Sequence, residues 1–236
     1  MLRAIDTDLW VAEQPLRYFG LSIGTRMTVI RLASHELVVI SPIQISEALV
    51  GELSELGPVS HIIAPNLYHY LFAADFKAAY PNATFWATSM LRAKKPELAI
   101  DQVIEDDSSS PWEGIECLFF DGFKTLGPKG PDLLDEWVFF HIASRTLILT
   151  DTAFCFDASF PLLTQLVTKV GGSYKSLSPS LLERIATTDK EPVKASAQQV
   201  LHWDFDRVVM AHGSIVERGG KQQFQRGYEQ FLGHSL

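Results

Sequence analysis

The chain has 236 residues, of which 47% are hydrophobic and 20% charged, and its formal net charge is -8. This is the composition of a globular protein with a sizeable core, and the acidic balance argues against binding to a nucleic-acid backbone, which needs a basic face. The apolar runs fall short of the roughly 18 residues that cross a bilayer, and the N-terminal stretch lacks a signal peptide's apolar segment. We therefore predict a cytoplasmic protein with no nucleic-acid or membrane partner; the oligomeric state stays open.

Several kinds of site have no support in the sequence. The two cysteines, Cys117 and Cys155, are too few for a disulfide framework and are predicted to be small core side chains. Neither a Gly-x-Ser-x-Gly elbow nor a glycine-rich phosphate loop occurs. Nothing near Cys155 provides the electropositive setting that a thiolate nucleophile needs.

The first quarter of the chain is predicted to be mostly strands. Residues 2–13 are typical of a strand, and residues 14–25 of a loop rich in aromatic side chains and glycine. Residues 27–32 and 36–40 are rich in β-formers and flank a short polar turn, which predicts a hairpin. Residues 43–56 then show helical spacing of apolar side chains and end at Gly57 and Pro58, a helix stop.

The chain is organised around residues 61–88. Residues 61–64 are mostly apolar and include β-branched side chains, which predicts a buried strand. The strand ends at Pro65, because proline cannot donate a hydrogen bond to a neighbouring strand. Residues 70–80 predict a helix and residues 84–87 the next strand. Asn66 and His69 therefore lie where a strand is followed by a helix, which is where ligand sites form in open α/β sheets.

The rest of the chain repeats the succession of strands and then helices. Arg92, Lys94 and Lys95 form a basic cluster, interpreted as a solvated helix face, and Asp106 and Asp107 belong to an acidic linker. Such a succession in two halves predicts two sheets with helices on both outer faces, in one domain spanning residues 1–236. The predicted strands are 115–120, 136–141, 146–150 and 208–211, and the predicted helices are 158–171, 179–188, 191–203 and 224–232.

The strand, polar turn, helix and strand of residues 61–88 resemble the way the metallo-β-lactamase superfamily presents its metal loop. Residues 146–154 are similar to its strand that ends in a metal-bridging Asp, and residues 207–214 to its late strand that ends in a ligand His before Gly. The resemblance implies an α/β fold of the four-layer αββα type. It also implies Asp151 and His212 as ligands.

The metal-binding motif departs from that family's pattern. The family's turn reads His-x-His-x-Asp-His, and its four ligand positions fall here on Asn66, Tyr68, Tyr70 and Leu71. The glycine-rich turn of residues 127–131, where the family has its next His, contains none. We therefore interpret the chain as a branch of the superfamily with a degenerate metal-binding motif.

His69, Asp151 and His212 are the residue types that catalytic zinc uses, and each follows a predicted strand. Each also has a structural alternative: a helix-cap hydrogen bond for His69, a turn cap for Asp151, and a buried core imidazole for His212. Asn66 would either give a metal its amide oxygen or form an Asx turn, and the turn is favoured. His61, His141 and His202 are interpreted as structural.

Two functions remain open. The resemblance implies a metal-dependent hydrolase of a small ester, thioester, lactone or phosphoester. It would use a hydroxide on one divalent ion (zinc, iron or manganese), with Asp151, Tyr68 and Tyr70 as catalytic candidates. The alternative is a degenerate, non-catalytic relative that acts as a binding or interaction module, and the missing ligand positions favour it. Metal content separates the two.

Overall fold

The computed structural model describes residues 1–105, 110–127 and 130–236, so Asp106 and Asp107 of the acidic linker lie outside the described residues. The strands of this part of the chain are, in order, β1 (Arg3–Asp6), β2 (Leu9–Gln14), β3 (Arg17–Tyr18), β4 (Leu21–Ser22), β5 (Thr25–Arg31), β6 (Leu37–Ile40), β7 (Val59–Ala64), β8 (Thr84–Ala87), β9 (Gln102–Val103), β10 (Ile115–Phe120), β11 (Lys124–Gly127), β12 (Gly130–Leu133), β13 (Glu136–His141), β14 (Thr146–Leu149) and β15 (Arg207–Met210). The helices are α1 (Glu47–Leu56), α2 (Ala73–Ala79), α3 (Ser89–Lys94), α4 (Leu162–Gly171), α5 (Leu181–Ala186), α6 (Glu191–Val200) and α7 (Gly220–Leu232).

The first half of the chain forms a sheet in the order β1-β2-β5-β6-β7-β8-β9. The four strands from β1 to β6 pair antiparallel, and β6 to β9 pair parallel. The predicted β5–β6 hairpin is confirmed, and His35 lies in its turn with φ 67°. Parallel neighbours need crossover connections, and α1, α2 and α3 lie between the successive parallel strands.

The second half forms a sheet in the order β10-β13-β14-β15. β10, β13 and β14 pair antiparallel, whereas β14 and β15 run parallel, with Leu149 opposite Met210. The segment between β14 and β15 contains α4, α5 and α6. Two small ribbons, β3–β4 and β11–β12, stand apart from both sheets.

Three apolar layers hold the fold together. Between the two sheets lies a cluster that includes Ile30, Ile63, Phe139 and Ile148. The outer face of the first sheet packs on α1, α2 and α3, and that of the second on α6 and α7. The αββα sandwich predicted from the order of strands and helices is therefore confirmed.

Some predicted boundaries were wrong for local reasons. The expected strand over residues 2–13 is a hairpin, since Asp8 takes φ 58° between β1 and β2. The expected loop over residues 14–25 contains the ribbon β3–β4, because Phe19 and Gly20 adopt φ 46° and 79° and close a two-residue turn. The glycine-rich stretch before β13 likewise contains β11 and β12. None of the helices in the described ranges has the length and apolar character needed to cross a membrane.

Candidate metal centre

The ends of three strands bring the candidate ligands to one edge of the sandwich. Asp151 and His212 each lie two residues beyond the ends of the parallel neighbours β14 and β15, so they leave the second sheet at the same edge. His69 lies in the turn of residues 66–72 that follows β7 in the facing sheet. This turn also explains why α2 begins at Ala73 and not at the predicted residue 70.

The three side chains converge. One ligand atom from each of His69, Asp151 and His212 lies within 4.8 Å of the others. His69 Nε2 is 3.2 Å from Asp151 Oδ2, and His212 Nε2 is 3.5 Å from Asp151 Oδ1. The expected gathering of these residues at one site is therefore observed, and of the seven histidines only these two belong to such a cluster among the described residues.

Asn66 positions the cluster. Its Oδ1 accepts hydrogen bonds from the backbone N–H groups of Tyr68 (2.9 Å) and His69 (2.8 Å), which is the Asx turn. Its Nδ2 donates to Asp151 Oδ2 at 2.8 Å. Asn66 therefore forms the favoured Asx turn, and with both lone pairs of its amide oxygen used in these bonds it orients His69 and Asp151.

Glu136 is a second residue that orients the cluster, and it was not among the residues predicted for the site. It is fully buried at the start of β13. Its carboxylate accepts hydrogen bonds from the N–H groups of Thr150 and Asp151, from the Thr152 hydroxyl and from the Asn66 amide, at 2.7–3.1 Å. Glu136 thereby fixes the backbone that carries Asp151. The sequence gives one indication of this role: Glu136 is a carboxylate at the start of an otherwise apolar run, Glu-Trp-Val-Phe-Phe.

The Nδ1 atom of each imidazole also has a hydrogen-bond partner. His212 Nδ1 lies 2.6 Å from the Gly24 carbonyl oxygen, which can only accept, so Nδ1 carries the proton and Nε2 is free to bind a metal when the ring is neutral. His69 Nδ1 shares a 2.7 Å hydrogen bond with the Ser41 hydroxyl. Both Nε2 atoms therefore face Asp151, and such outer partners are typical of metal-ligating histidines.

A protein-family profile described as "Domain of unknown function (DUF4336)" matches residues 6–173, which is well over half of the chain. The chain belongs to the DUF4336 family. The matched region contains His69 and Asp151, whereas His212 lies beyond it. No curated protein matches the sequence of this chain.

Solved structures show the fold to which this DUF4336 chain corresponds. A metallo-β-lactamase from Pontibacter korlensis is 11% identical with a TM-score of 0.65, and 98% of each chain is covered. A metallo-β-lactamase from Erythrobacter litoralis is 12% identical with a TM-score of 0.67, covering 97% of this chain and 96% of that one. The FIM-1 metallo-β-lactamase from Pseudomonas aeruginosa, in its mono-zinc form, is 11% identical with a TM-score of 0.65, covering 98% and 95%. This chain therefore has the metallo-β-lactamase fold.

The electrostatics of the cluster depend on Asp151. Burial alone would raise the pKa of this carboxyl, but the charge and hydrogen bond of His69, the charge of His212 and the hydrogen bond from Asn66 together lower it to about 2. Burial also lowers the pKa of His212, to about 4, whereas for His69 the attraction to Asp151 outweighs burial and raises the pKa. Without a metal, the site therefore holds an ionised Asp151 paired with His69 and a neutral His212.

The residues present fit a divalent metal ion. Two imidazole nitrogens and one carboxylate form a donor set that zinc uses in catalytic sites, where a fourth position stays open. The carboxylate and both imidazoles have hydrogen-bond partners that orient them, as described above. A neutral His212 offers its Nε2 lone pair directly, and a metal would take the place of the proton that His69 shares with Asp151.

The other candidate residues from the sequence do not belong to the cluster of His69, Asp151 and His212. Tyr68 donates to Asp132 at 3.1 Å, and burial together with that carboxylate raises its pKa. Tyr70 has the Lys95 ammonium over its ring. His61 accepts from Trp86, and His141 bonds to Ser144, both in agreement with structural roles. Burial raises the pKa of Cys155 to about 11, which argues against a thiolate.

A cavity of about 590 Å³ adjoins the cluster. His69, Asp151 and His212 line it, as do Tyr68 and Tyr70. Its volume lies within the range of ordinary small-molecule sites. The cluster thus faces a space that can admit a substrate.

Proposed function

We propose that this DUF4336 member is a metal-dependent hydrolase that holds one divalent ion, with zinc as the first candidate, through His69, Asp151 and His212. The observation that carries the proposal is the convergence of these three ligand atoms within 4.8 Å. A metallo-β-lactamase of the same fold is described in a mono-zinc form, so this fold can hold a single ion. In this proposal the metal-binding motif of the metallo-β-lactamase superfamily is reduced. Asn66, Tyr68 and Tyr70 occupy positions where that superfamily has ligands.

The bound ion would act as a Lewis acid that polarises a carbonyl or phosphoryl oxygen and acidifies water. The chain's own groups would do the rest. Asp151, ionised over the whole neutral pH range, can accept a hydrogen bond from a water in the cavity. Tyr68 keeps its proton because its pKa is raised, so its hydroxyl can donate to a substrate oxygen once it releases Asp132. Glu136 and Asn66 hold these groups in place.

The test is hydrolysis of a panel containing an aryl ester, a thioester, a lactone and an aryl phosphodiester by the zinc-loaded protein. We expect one of these classes to be hydrolysed, and Asp151→Asn to lose at least about 100-fold, since even partners of a ligand cost about 10- to 100-fold. Asp157→Asn is the matched control, because Asp157 bonds to Ser214 and is outside the cluster. Equal activity in the two variants would refute the proposed role of Asp151.

One observation favours the second function, a non-catalytic binding module. His69 and Asp151 already form an ion pair at 3.2 Å, which satisfies the buried carboxylate without a metal. A protein of this kind would bind a small molecule in the cavity and hydrolyse nothing. Full loading with zinc followed by inactivity on the whole panel would favour this alternative.

A further inference from the structure

The lining of the cavity has two different parts. One part is polar and contains His69, Asp151 and His212, while much of the remainder is apolar. The apolar side chains come from several segments that are far apart in sequence and include Leu21, Ile23, Leu71, Phe154, Phe156, Val167 and Leu182. A wall to which residues 16–23, the turn after β7, the segment after β14, α4 and α5 contribute would shield an apolar ligand from water.

The apolar character continues outside the cavity. α4 carries Val167, which lines the cavity, and exposes Leu162 and Leu166. Phe19, at the tip of the ribbon, lines the cavity and is also 69% exposed. Large apolar side chains gathered on one surface generally mark a binding region. Phe19 and Val167 both belong to the largely apolar lining, so an apolar ligand in the cavity would contact them.

We propose that the cavity takes a linear acyl chain, with the carbonyl end at the metal centre and the methylene chain along the apolar wall. The substrate class would then be esters or thioesters of medium- to long-chain acids. This inference rests on the proposed function for the reaction, but the binding of the chain does not depend on it. Burying one methylene group is worth about 0.8 kcal/mol, so each added methylene would tighten binding about fourfold until the wall is filled.

The direct test is isothermal titration calorimetry of the zinc-loaded protein with hexanoate, octanoate and decanoate, which are the acid products of the proposed reaction. The carboxylate is common to the series, so its contribution cancels and the trend isolates the chain. We expect affinity to rise about fourfold per methylene. An affinity that does not change along the series would overturn the inference.

Two valines on α4 provide a matched pair of variants. Val167 lines the cavity, whereas Val170 lies three residues further along the same helix, is not part of the lining and is exposed. Val167→Trp should fill the space and weaken decanoate binding at least about tenfold, while Val170→Trp should change it by less than about twofold. Val167→Gln, which adds a polar amide without a ring, should flatten the dependence on chain length. Equal effects at residues 167 and 170 would place the chain elsewhere and overturn the inference.

The outcome separates this inference from the proposed function. If affinity rises with the length of the acyl chain but the protein hydrolyses none of the panel, the hydrolase is refuted and the acyl-chain cavity is supported. Hydrolysis of an acetyl ester with no binding of longer acids would refute the acyl-chain cavity and support the hydrolase.

Discussion

Glu136 shows how one buried residue controls the geometry of the centre. Four donors, two of them backbone N–H groups, point at its carboxylate. In Glu136→Gln one oxygen becomes an amide nitrogen that cannot accept, so at least one buried donor loses its partner. We expect a loss of about 2–3 kcal/mol in the free energy of unfolding, measured with urea. Glu116→Gln, on the exposed side of β10, should change it by less than about 0.5 kcal/mol.

Glu183 predicts a dependence of stability on pH. Burial, only partly offset by hydrogen bonds from Ser180 and Thr125, raises its pKa to about 7. Between its unfolded value of about 4.5 and 7, the folded state therefore holds the proton more tightly than the unfolded state. This contribution to stability is fully present at acidic pH and is lost as pH rises through about 7.

The expected size of this effect is about 3 kcal/mol, since each pKa unit corresponds to 1.36 kcal/mol. Glu183→Gln cannot ionise, so relative to wild type it should gain stability between about pH 5 and about pH 8. Urea unfolding at both pH values measures this difference, and the exposed Glu191→Gln serves as the control. If the free energies of unfolding of wild type and Glu183→Gln differ by the same amount at both pH values, Glu183 does not hold its proton as described.

At the scale of elements, the loops after β14 and β15 must pack closely to bring His212 to Asp151. Gly213 has φ 87°, and a Cβ there would meet the Cys155 carbonyl oxygen at 2.2 Å. Ser214 N–H donates to the same oxygen at 2.6 Å. The two loops are thus in backbone contact immediately beside His212, and only glycine allows this contact.

Gly213→Ala should therefore be strongly destabilising. The left-handed backbone costs alanine about 1–2 kcal/mol, and the clash with backbone atoms should bring the total to about 3 kcal/mol or more. Gly219→Ala is the matched control, because Gly219 also has positive φ (66°) but its Cβ would meet only the Gln222 side chain at 3.6 Å. Chemical denaturation of both variants gives the comparison, and equal losses would contradict the packing argument.

The elements that sequence predicts well are those that apolar pattern alone determines. β10 and β13 begin and end at the predicted residues, since each is a run rich in β-formers; β13 is buried throughout, and β10 is buried at both ends. The ribbons β3–β4 and β11–β12 were missed because their short strands contain too few residues for a pattern. The start of α2 was misplaced because the side chain of Asn66, not the apolar spacing, determines the turn before it.

The candidate site divides in the same way. His69, Asp151 and His212 were identifiable because each follows a predicted strand and has a metal-binding side chain. Glu136 was not, because its role depends on where Thr150, Asp151 and Asn66 lie after folding. The hydrogen bonds of Ser41 and Gly24 to the imidazoles arise from the same long-range packing and have no local sequence signal.

At the scale of the whole molecule, each ligand of the proposed site comes from a different part of the chain. β7 and its turn belong to the first sheet, while β14 and β15 belong to the second. The site therefore forms only when the two sheets pack on each other, and we propose that residues 1–236 act as one metallo-β-lactamase-like domain. A metal bound to the folded state would then stabilise both halves together.

We propose that His69, Asp151 and His212 together bind one divalent ion. The most direct measurement is the number of metal ions per chain by elemental analysis, after zinc loading and again after dialysis against a chelator. The proposed site should hold one zinc per chain that the chelator removes, and none in Asp151→Ala, whose circular dichroism should match that of wild type. Two ions that survive the chelator, or no metal after loading, would contradict this proposal.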